Sequence, residues 1–269
     1  MAKSVVAIPD EQRPSRQPDD DYLPSLEKGL AVLELFGRDS TEWTLSQIVR
    51  ELELTPGSAR RILRTLEVLG YAEANDGRFS LTPRVLKLGF SYLSSQPFSD
   101  IAQPMMTKLA ATLQATCCIT VLDEREVVYV ARGTHKHIEP FFIQVGARLP
   151  AYATAPGKVL LASLSDARLE QQLEGWELSP FTPNTVTDRS QLMCQIVEAR
   201  QTGYAINDQE IFVGQRSIAT SLALGGGKTA AIVAALSVSS KSVEQLVSDI
   251  LPPLRAAARE IEQSVSILL

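Results

Sequence analysis

TLSQIVRELELTPGSARRILRTLEVLGYAEANDGRFSL, residues 44–81, decides the fold. From a start near Thr44, Leu45, Ile48, Val49 and Leu52 recur at helical spacing on one face. Glu53-Leu54 is a short link. Thr55 then offers a capping hydroxyl, and Pro56 takes the first helical position, where its missing N–H costs nothing. The second helix of the pair turns Ala59, Ile62, Leu63 and Leu66 inward and closes at Leu69-Gly70. Tyr71–Ala74 and Arg78–Leu81 read as two short strands around Asn75-Asp76-Gly77, and an Asp-Gly pair between alternating residues is a strong hairpin signal. Helix, turn, helix and hairpin in that order predict a winged helix-turn-helix.

With its apolar face buried, the second helix leaves Gly57, Ser58, Arg60, Arg61, Arg64 and Thr65 outward. Arg60 and Arg64 lie four apart and Arg61 and Arg64 three apart, so the three share a face. A guanidinium forks onto guanine O6 and N7 or onto a phosphate, and the positive helix end capped by Thr55 also suits a phosphate. Arg78 on the hairpin is placed to reach the minor groove or the backbone. The expected DNA-contacting set is therefore Thr55, Ser58, Arg60, Arg61, Arg64, Thr65 and Arg78. Arginines alone read equally well as a solvated helix face; the complete order of elements favours DNA. Net charge over the 269 residues is −5, which does not advertise a nucleic-acid binder. Between Thr55 and Leu93, however, six cations face three carboxylates, a local +3 that leaves −8 for the rest.

Working outward, residues 1–21 carry Pro9, Pro14 and Pro18 among polar residues and read as a tail. Ser25 is the expected cap of a helix bearing Leu26, Leu30, Leu33 and Val32, Leu35, Phe36, ended by Gly37. Thr82-Pro83 opens another helix, apolar at Val85, Leu86, Leu88, Phe90 and Leu93 on more than one face, a surplus that calls for a partner chain. A two-fold dimer would set two recognition helices on an inverted repeat, the alternative being that this helix packs on its own C-terminal half. Ser94–Pro97 marks the domain boundary. Beyond it come a helix from Asp100 to Ala115, a hairpin of Cys117–Leu122 and Val127–Val130, and a strand from Phe141 to Val145. A helix starts at Pro156-Gly157-Lys158, and others cover Ala167–Leu173 and Asp188–Gln201. Strands at Ser217–Leu224 and Ala231–Val238 flank Gly225-Gly226-Gly227, and a last helix runs from Ser242 with Pro252-Pro253 bending or breaking it. The mixture is α+β.

The composition, 45% hydrophobic and 21% charged, is that of a globular chain, and no run of about 18 apolar residues offers a membrane span. No secretory leader is visible, and three cysteines make no disulfide framework, so a reducing cytoplasm fits best. Gly227-Lys228-Thr229 tempts toward a phosphate loop, but Leu222 stands where that motif needs glycine, and the segment joins two strands. His135-Lys136-His137 and the adjacent Cys117-Cys118 lack ligand spacing, so no metal is expected. No nucleophile–base pattern is present either, so neither an enzyme, catalytic residues nor a cofactor is expected.

These residues resemble the IclR family of regulators. The carriers are SLEKGLAVL (25–33), TLSQI (44–48) and ARRILRTLEVLGY (59–71) in the first half, and RLPAYATA (148–155), GKVLLA (157–162), GYAINDQE (203–210) and GQRSIA (214–219) in the second. The resemblance spans about residues 24–262 in order. It implies a winged helix-turn-helix, a linker helix pairing two chains and a GAF-like effector-binding domain, placed here at 22–82, 83–96 and 97–269. SYLSS (91–95) and VVYVAR (127–132) resemble the subgroup controlling protocatechuate, 4-hydroxybenzoate and β-ketoadipate catabolism, whose effectors are aromatic or dicarboxylic acids. The family's ligand-contacting positions fall on Ala155, Gly157, Lys158, Asn207, Asp208, Ser217, Ser237 and Ser239. Two departures are Pro156, where a non-proline residue is usual, and the triple glycine at 225–227. Small residues leading into the helix start at 155–157 would aim backbone N–H groups at a carboxylate, and Ser237 and Ser239 would share a sheet face. Each residue also has an ordinary reading: Gly157 in helix packing, Lys158 as a surface cation, the serines in solvent. The expectation is a ligand-responsive regulator, a homodimer or tetramer binding double-stranded operator DNA and a small organic acid. The alternative is a sensor or enzyme domain whose helix-turn-helix serves protein contacts.

Overall fold

The computed structural model of the chain describes residues 21–37, 40–94, 99–135 and 143–268, in two compact units divided in sequence between Ser95 and Gln96. The first unit runs α1 (Pro24–Leu35), β1 (Glu42–Thr44), α2 (Leu45–Glu51), α3 (Pro56–Val68), β2 (Ala72–Asn75), β3 (Arg78–Leu81) and, after a short turn, α4 (Leu86–Ser94). Ser25 does not cap α1. Pro24 already occupies the first helical turn, so Ser25 lies inside the helix and Leu23 is the uncapped boundary residue. At α2, by contrast, Thr44 and Gln47 form a reciprocal box: Gln47 N–H donates to Thr44 Oγ1 (3.3 Å) and Thr44 N–H to Gln47 Oε1 (2.8 Å). At α3 the Ser58 N–H donates to Thr55 Oγ1 at 3.3 Å, with Pro56 next to the cap as expected.

Val32, Leu35, Ile48, Ala59, Leu63 and Leu66 from the helices close over Trp43 and Ala72 from the sheet to make this unit's core. The hairpin turns on Asp76 (φ 48°) and Gly77 (φ 75°), two consecutive left-handed residues that match the twist of the strands they join. β1 has no counterpart among the elements expected from sequence. It pairs with β3, Trp43 opposite Phe79, to give the order β1-β3-β2; three residues are too short to register a period of two.

The second unit runs α5 (Ser99–Leu113), β4 (Thr116–Asp123), β5 (Glu126–Gly133), β6 (Arg148–Pro150), α6 (Ala155–Ala162), α7 (Asp166–Leu173), α8 (Arg189–Thr202), β7 (Tyr204–Asp208), β8 (Gln215–Ala223) and β9 (Thr229–Ser237). Its last helical stretch is α9 (Val243–Gln245), a wide turn (Leu246–Ile250) and α10 (Leu251–Leu268). One antiparallel sheet, ordered β6-β5-β4-β9-β8-β7, forms the centre. Cys118, Val127, Tyr129, Ala219, Ala231 and Val233 on one face belong to a single core with residues of α6 and α8. The alternate residues Cys117, Ile119, Ile218, Ala230 and Ile232 are buried too, and α5 packs along β4–β5 while α10 packs along β8–β9. Burial of both faces explains why β9 reads as an unbroken apolar run.

Two expectations are modified here. Of the strand expected at Phe141–Val145, Phe141 and Phe142 lie outside the described residues and 143–145 carry no strand; the edge strand is β6, Leu149 opposite Val127. Arg148 and Pro150 make a short, charged, proline-ended edge, which suits an outermost strand and hides it from a hydrophobicity reading. β7, which in sequence stands out only as part of a motif, is the opposite edge strand. Pro252-Pro253 does not end the last helical stretch, which continues through α10. Its α-helical hydrogen bonding is interrupted, however, by the wide turn Leu246–Ile250 just before the two prolines, where the Leu251 N–H reaches back to the Leu246 carbonyl. Gly225–Gly227 joins β8 to β9, as expected of a hairpin loop.

Candidate functional site

Two sites are built, one in each unit. On α3, burial of Ala59, Leu63 and Leu66 leaves Arg60, Arg61 and Arg64 exposed on one side. The Arg64 side chain is 72% exposed, and its only described ion pair is a long contact to Glu67 (3.6 Å), too weak to hold it against a phosphate. Thr55 and Ser58 are joined by the cap, and the Thr65 hydroxyl donates to the Arg61 carbonyl at 2.8 Å, so its proton is spent within the helix. Arg78 is exposed beside the hairpin turn. Two further polar groups stand outside the expected set: Ser46, exposed at the start of α2 with its hydroxyl 3.2 Å from that of Thr44, and Arg84, whose guanidinium lies 5.6 Å over the Tyr71 ring.

The second site is a cavity on the α6-facing side of the sheet. Its floor comes from β4 (Thr116, Cys118), β5 (Tyr129), β8 (Gln215, Ser217) and β9 (Val233, Ala235). Thr154, Pro156, Asn207, Ile211, Leu149 and Ile143 complete the lining. Strand register explains the floor: Asn207 is opposite Ser217, Ser217 opposite Ala235 and Ala235 opposite Thr116, one row crossing four strands. No described lining residue is charged. Burial pushes the Cys118 thiol up to about 12 and raises the Tyr129 phenol as well, so both are neutral hydrogen-bonding groups. The cavity holds about 30 Å³, room for a water and well below the ~150 Å³ that takes a benzene ring. A ring therefore enters only as the lining moves; Ile143 is half-buried and lies outside any strand or helix.

Of the eight expected ligand positions, Asn207 and Ser217 line this cavity; the others do not. Asn207 is spoken for, its amide donating to the Ala153 carbonyl and its Oδ1 accepting the Glu210 N–H (3.3 Å). Asp208, one residue on, points the other way and is gripped by Arg216 at 2.6 and 3.1 Å. Ala155 is buried in the first turn of α6. Gly157 serves close packing: a Cβ there would lie 2.1 Å from the Ala151 carbonyl oxygen. Its N–H donates to Thr154 Oγ1 at 3.1 Å.

Lys158 is no surface cation. It is 1% exposed and ion-paired with Glu210, and burial lowers its pKa despite that partner. Thr185 and Thr182 donate to the Glu210 and Gln209 carbonyls at 2.6 and 2.7 Å. Together with Lys158 they anchor the segment that carries Ile211 over the cavity. Ser237 and Ser239 do not share a sheet face, because β9 ends at Ser237 and Ser239 lies in the following turn, their hydroxyls 2.9 Å apart. Thr116, Cys118, Tyr129 and Gln215 escape a sequence reading; nothing local marks which residues of a doubly buried strand face a cavity.

Among the described residues no three His, Cys, Asp or Glu side chains are placed to hold a metal, and no helix is long and apolar enough to cross a membrane. Lys136 and His137 of the rejected histidine motif lie outside the described residues.

Residues 25–76 match the IclR helix-turn-helix domain and residues 90–266 the bacterial transcriptional regulator IclR C-terminal domain. The chain is 35% identical over 266 residues to the Pca regulon regulatory protein of Pseudomonas putida, covering 97% of this chain and 90% of that protein. It is 36% identical over 252 residues to the p-hydroxybenzoate hydroxylase transcriptional activator of Acinetobacter baylyi, covering 91% and 93%. In structure it is similar to an IclR homologue of Microbacterium hydrocarbonoxydans complexed with 4-hydroxybenzoate, with a TM-score of 0.77, 28% identity and 90% and 99% of the two chains covered. With both domain models matched in order across the chain, this protein belongs to the IclR family of bacterial transcriptional regulators.

Proposed function

We propose that this regulator controls genes of aromatic acid catabolism, and that a small aromatic acid in the sheet cavity sets its affinity for operator DNA. Residues 22–82 bind the operator, 83–96 link, and 97–269 bind the effector. The observation that carries the reading is the cavity: a floor of neutral hydrogen-bonding groups around apolar residues, in a chain 35–36% identical to regulators named for the pca regulon and p-hydroxybenzoate hydroxylase. Arg60, Arg61 and Arg64 contact the operator in the major groove, Arg78 reaches the flanking backbone or minor groove, and Thr55, Ser58 and Thr65 frame the helix end at a phosphate. Two chains pair through the exposed apolar side of α4 and present their recognition helices to an inverted repeat. Such a protein works in a reducing cytoplasm, where its DNA is.

A mobility shift on the intergenic DNA upstream of its own gene tests the reading. Wild type is expected to give a saturable shift that survives competitor DNA. Arg61→Ala/Arg64→Ala is expected to weaken binding by about 1–3 kcal/mol for each base that an arginine no longer reads. A folded wild-type protein that gives no specific shift at moderate salt would sink the proposal.

A further inference from the structure

The two edges of the six-stranded sheet are finished differently. β6 is short, charged and proline-ended, all of which discourage a further strand. β7 is open along Tyr204-Ala205-Ile206, with neither a charge nor a proline there. Its register says which main-chain groups are free. The Gln209 N–H donates to the Gln215 carbonyl (2.9 Å), and in an antiparallel pair the bonded residues alternate. Asn207 and Ala205 therefore bond β8, while Ile206, opposite Ile218, turns its N–H and C=O outward. At Tyr204 the Thr202 hydroxyl occupies this edge, donating to the Tyr204 carbonyl at 3.1 Å. Ile206 has no such cover: neither its N–H nor its C=O has a partner among the described residues.

Ile206 lines an open groove of about 590 Å³, which shares no lining residue with the sheet cavity. That volume falls within the roughly 300–1,000 Å³ usual for binding clefts. α8 borders the groove with Gln195 and Glu198, and the last helical stretch borders it with Val243, Glu244 and Val247. Gln195 Oε1 is buried without a hydrogen-bond partner. Lys158 also lines the groove, but Glu210 neutralises it. Glu198 and Glu244 are exposed and make no described ion pair, so the groove's free charge is two carboxylates, one on each side of the strand edge.

We propose that the open edge of β7 is a docking site for an extended, basic segment of another protein, added to the sheet as a seventh strand. One residue of the segment exchanges both main-chain bonds with Ile206, and successive side chains turn to opposite faces, so adjacent cations reach Glu198 and Glu244. Main-chain bonds supply the affinity, and the flanking groups choose the side chains. A second copy of this chain suits the edge less well. Paired through a two-fold axis, it would bring each Glu198 and Glu244 towards its own counterpart.

Isothermal titration of the full-length protein with acetyl-Ile-Val-Lys-Lys-Val-Ile-amide tests this. The controls are the same peptide N-methylated at its four central residues, and one with glutamates in place of the lysines. The lysine peptide is expected to bind saturably, at least about tenfold tighter than either control. Glu198→Gln/Glu244→Gln, two exposed substitutions expected to keep the urea midpoint, should weaken it about tenfold. Hydrogen exchange followed by NMR should show the Ile206 amide slowed by the lysine peptide and by neither control. Equal binding of the N-methylated peptide would reduce the site to charge alone and overturn strand addition. Equal binding of the glutamate peptide, or no binding of the lysine peptide, overturns the proposal outright. An Ile206 amide already protected in the protein alone overturns it too. Protection that grows with protein concentration assigns the edge to a second copy, and protection lost on removing residues 1–20 assigns it to the chain's own N-terminal segment.

Discussion

Gly157 and Lys158, neighbours on α6, have the look of a ligand-binding loop in sequence, yet the fold commits both to holding that helix in place. At Gly157 an added Cβ would meet only backbone, 2.1 Å from Ala151 O and 2.4 Å from its Cα, and backbone cannot rotate away. Gly157→Ala is therefore expected to cost about 1–3 kcal/mol or more, read as a drop in the urea midpoint. An unchanged midpoint would show that α6 has slack here. Lys158→Ala strands the Glu210 carboxylate, one of whose oxygens already lacks a described partner, and is expected to cost about 3–5 kcal/mol. The double variant Lys158→Met/Glu210→Leu should recover most of that deficit, and a double-mutant cycle measures the coupling. Additive effects would mean the two residues act separately. Helix packing is one of the two readings the sequence leaves open for Gly157, though the backbone it packs against cannot be named before the chain is folded; the pairing of Lys158 is not legible at all, its partner lying 52 residues away.

Among the elements, those that read best from sequence announce themselves locally. α3 has its cap, its proline and four inward apolar residues within a dozen positions, and the Asp76-Gly77 turn dictates the hairpin. Thr55→Ala should accordingly cost about 1 kcal/mol of stability, seen in thermal unfolding of the intact chain; no change would mean that water replaces the hydroxyl freely. The elements that escape the sequence are the sheet edges. β1, β6 and β7 have three, three and five residues, too few for a period to emerge, and their pairing depends on strands distant in sequence. The cavity escapes for a related reason. In a strand buried on both faces every residue looks like core, so the cavity-lining Cys118 cannot be told from Cys117 without the fold.

For the whole molecule, the division of labour between the two units follows from what each presents: three exposed arginines together on α3, and a cavity whose described lining is uncharged on the effector side. Assembly belongs to this scale too. Leu86 and Phe90, 69% and 70% exposed, lie four apart on α4, with Leu88 and Tyr92 also exposed. A helix this apolar outside is expected to pair two chains. Sedimentation at micromolar concentration should show at least a dimer, and Leu86→Lys/Phe90→Lys should shift it toward monomer and weaken operator binding. A wild-type monomer would remove this face as an interface. The central claim is that a small acid in one unit changes what the other does on DNA. Its most direct test is fluorescence anisotropy of a labelled upstream intergenic fragment, titrated with protein in the absence and presence of saturating 4-hydroxybenzoate. The expected result is an operator Kd shifted at least about fivefold by the acid, a shift absent with Arg61→Ala/Arg64→Ala, which no longer binds specifically. Identical titration curves, with calorimetry showing the acid bound, would contradict the account.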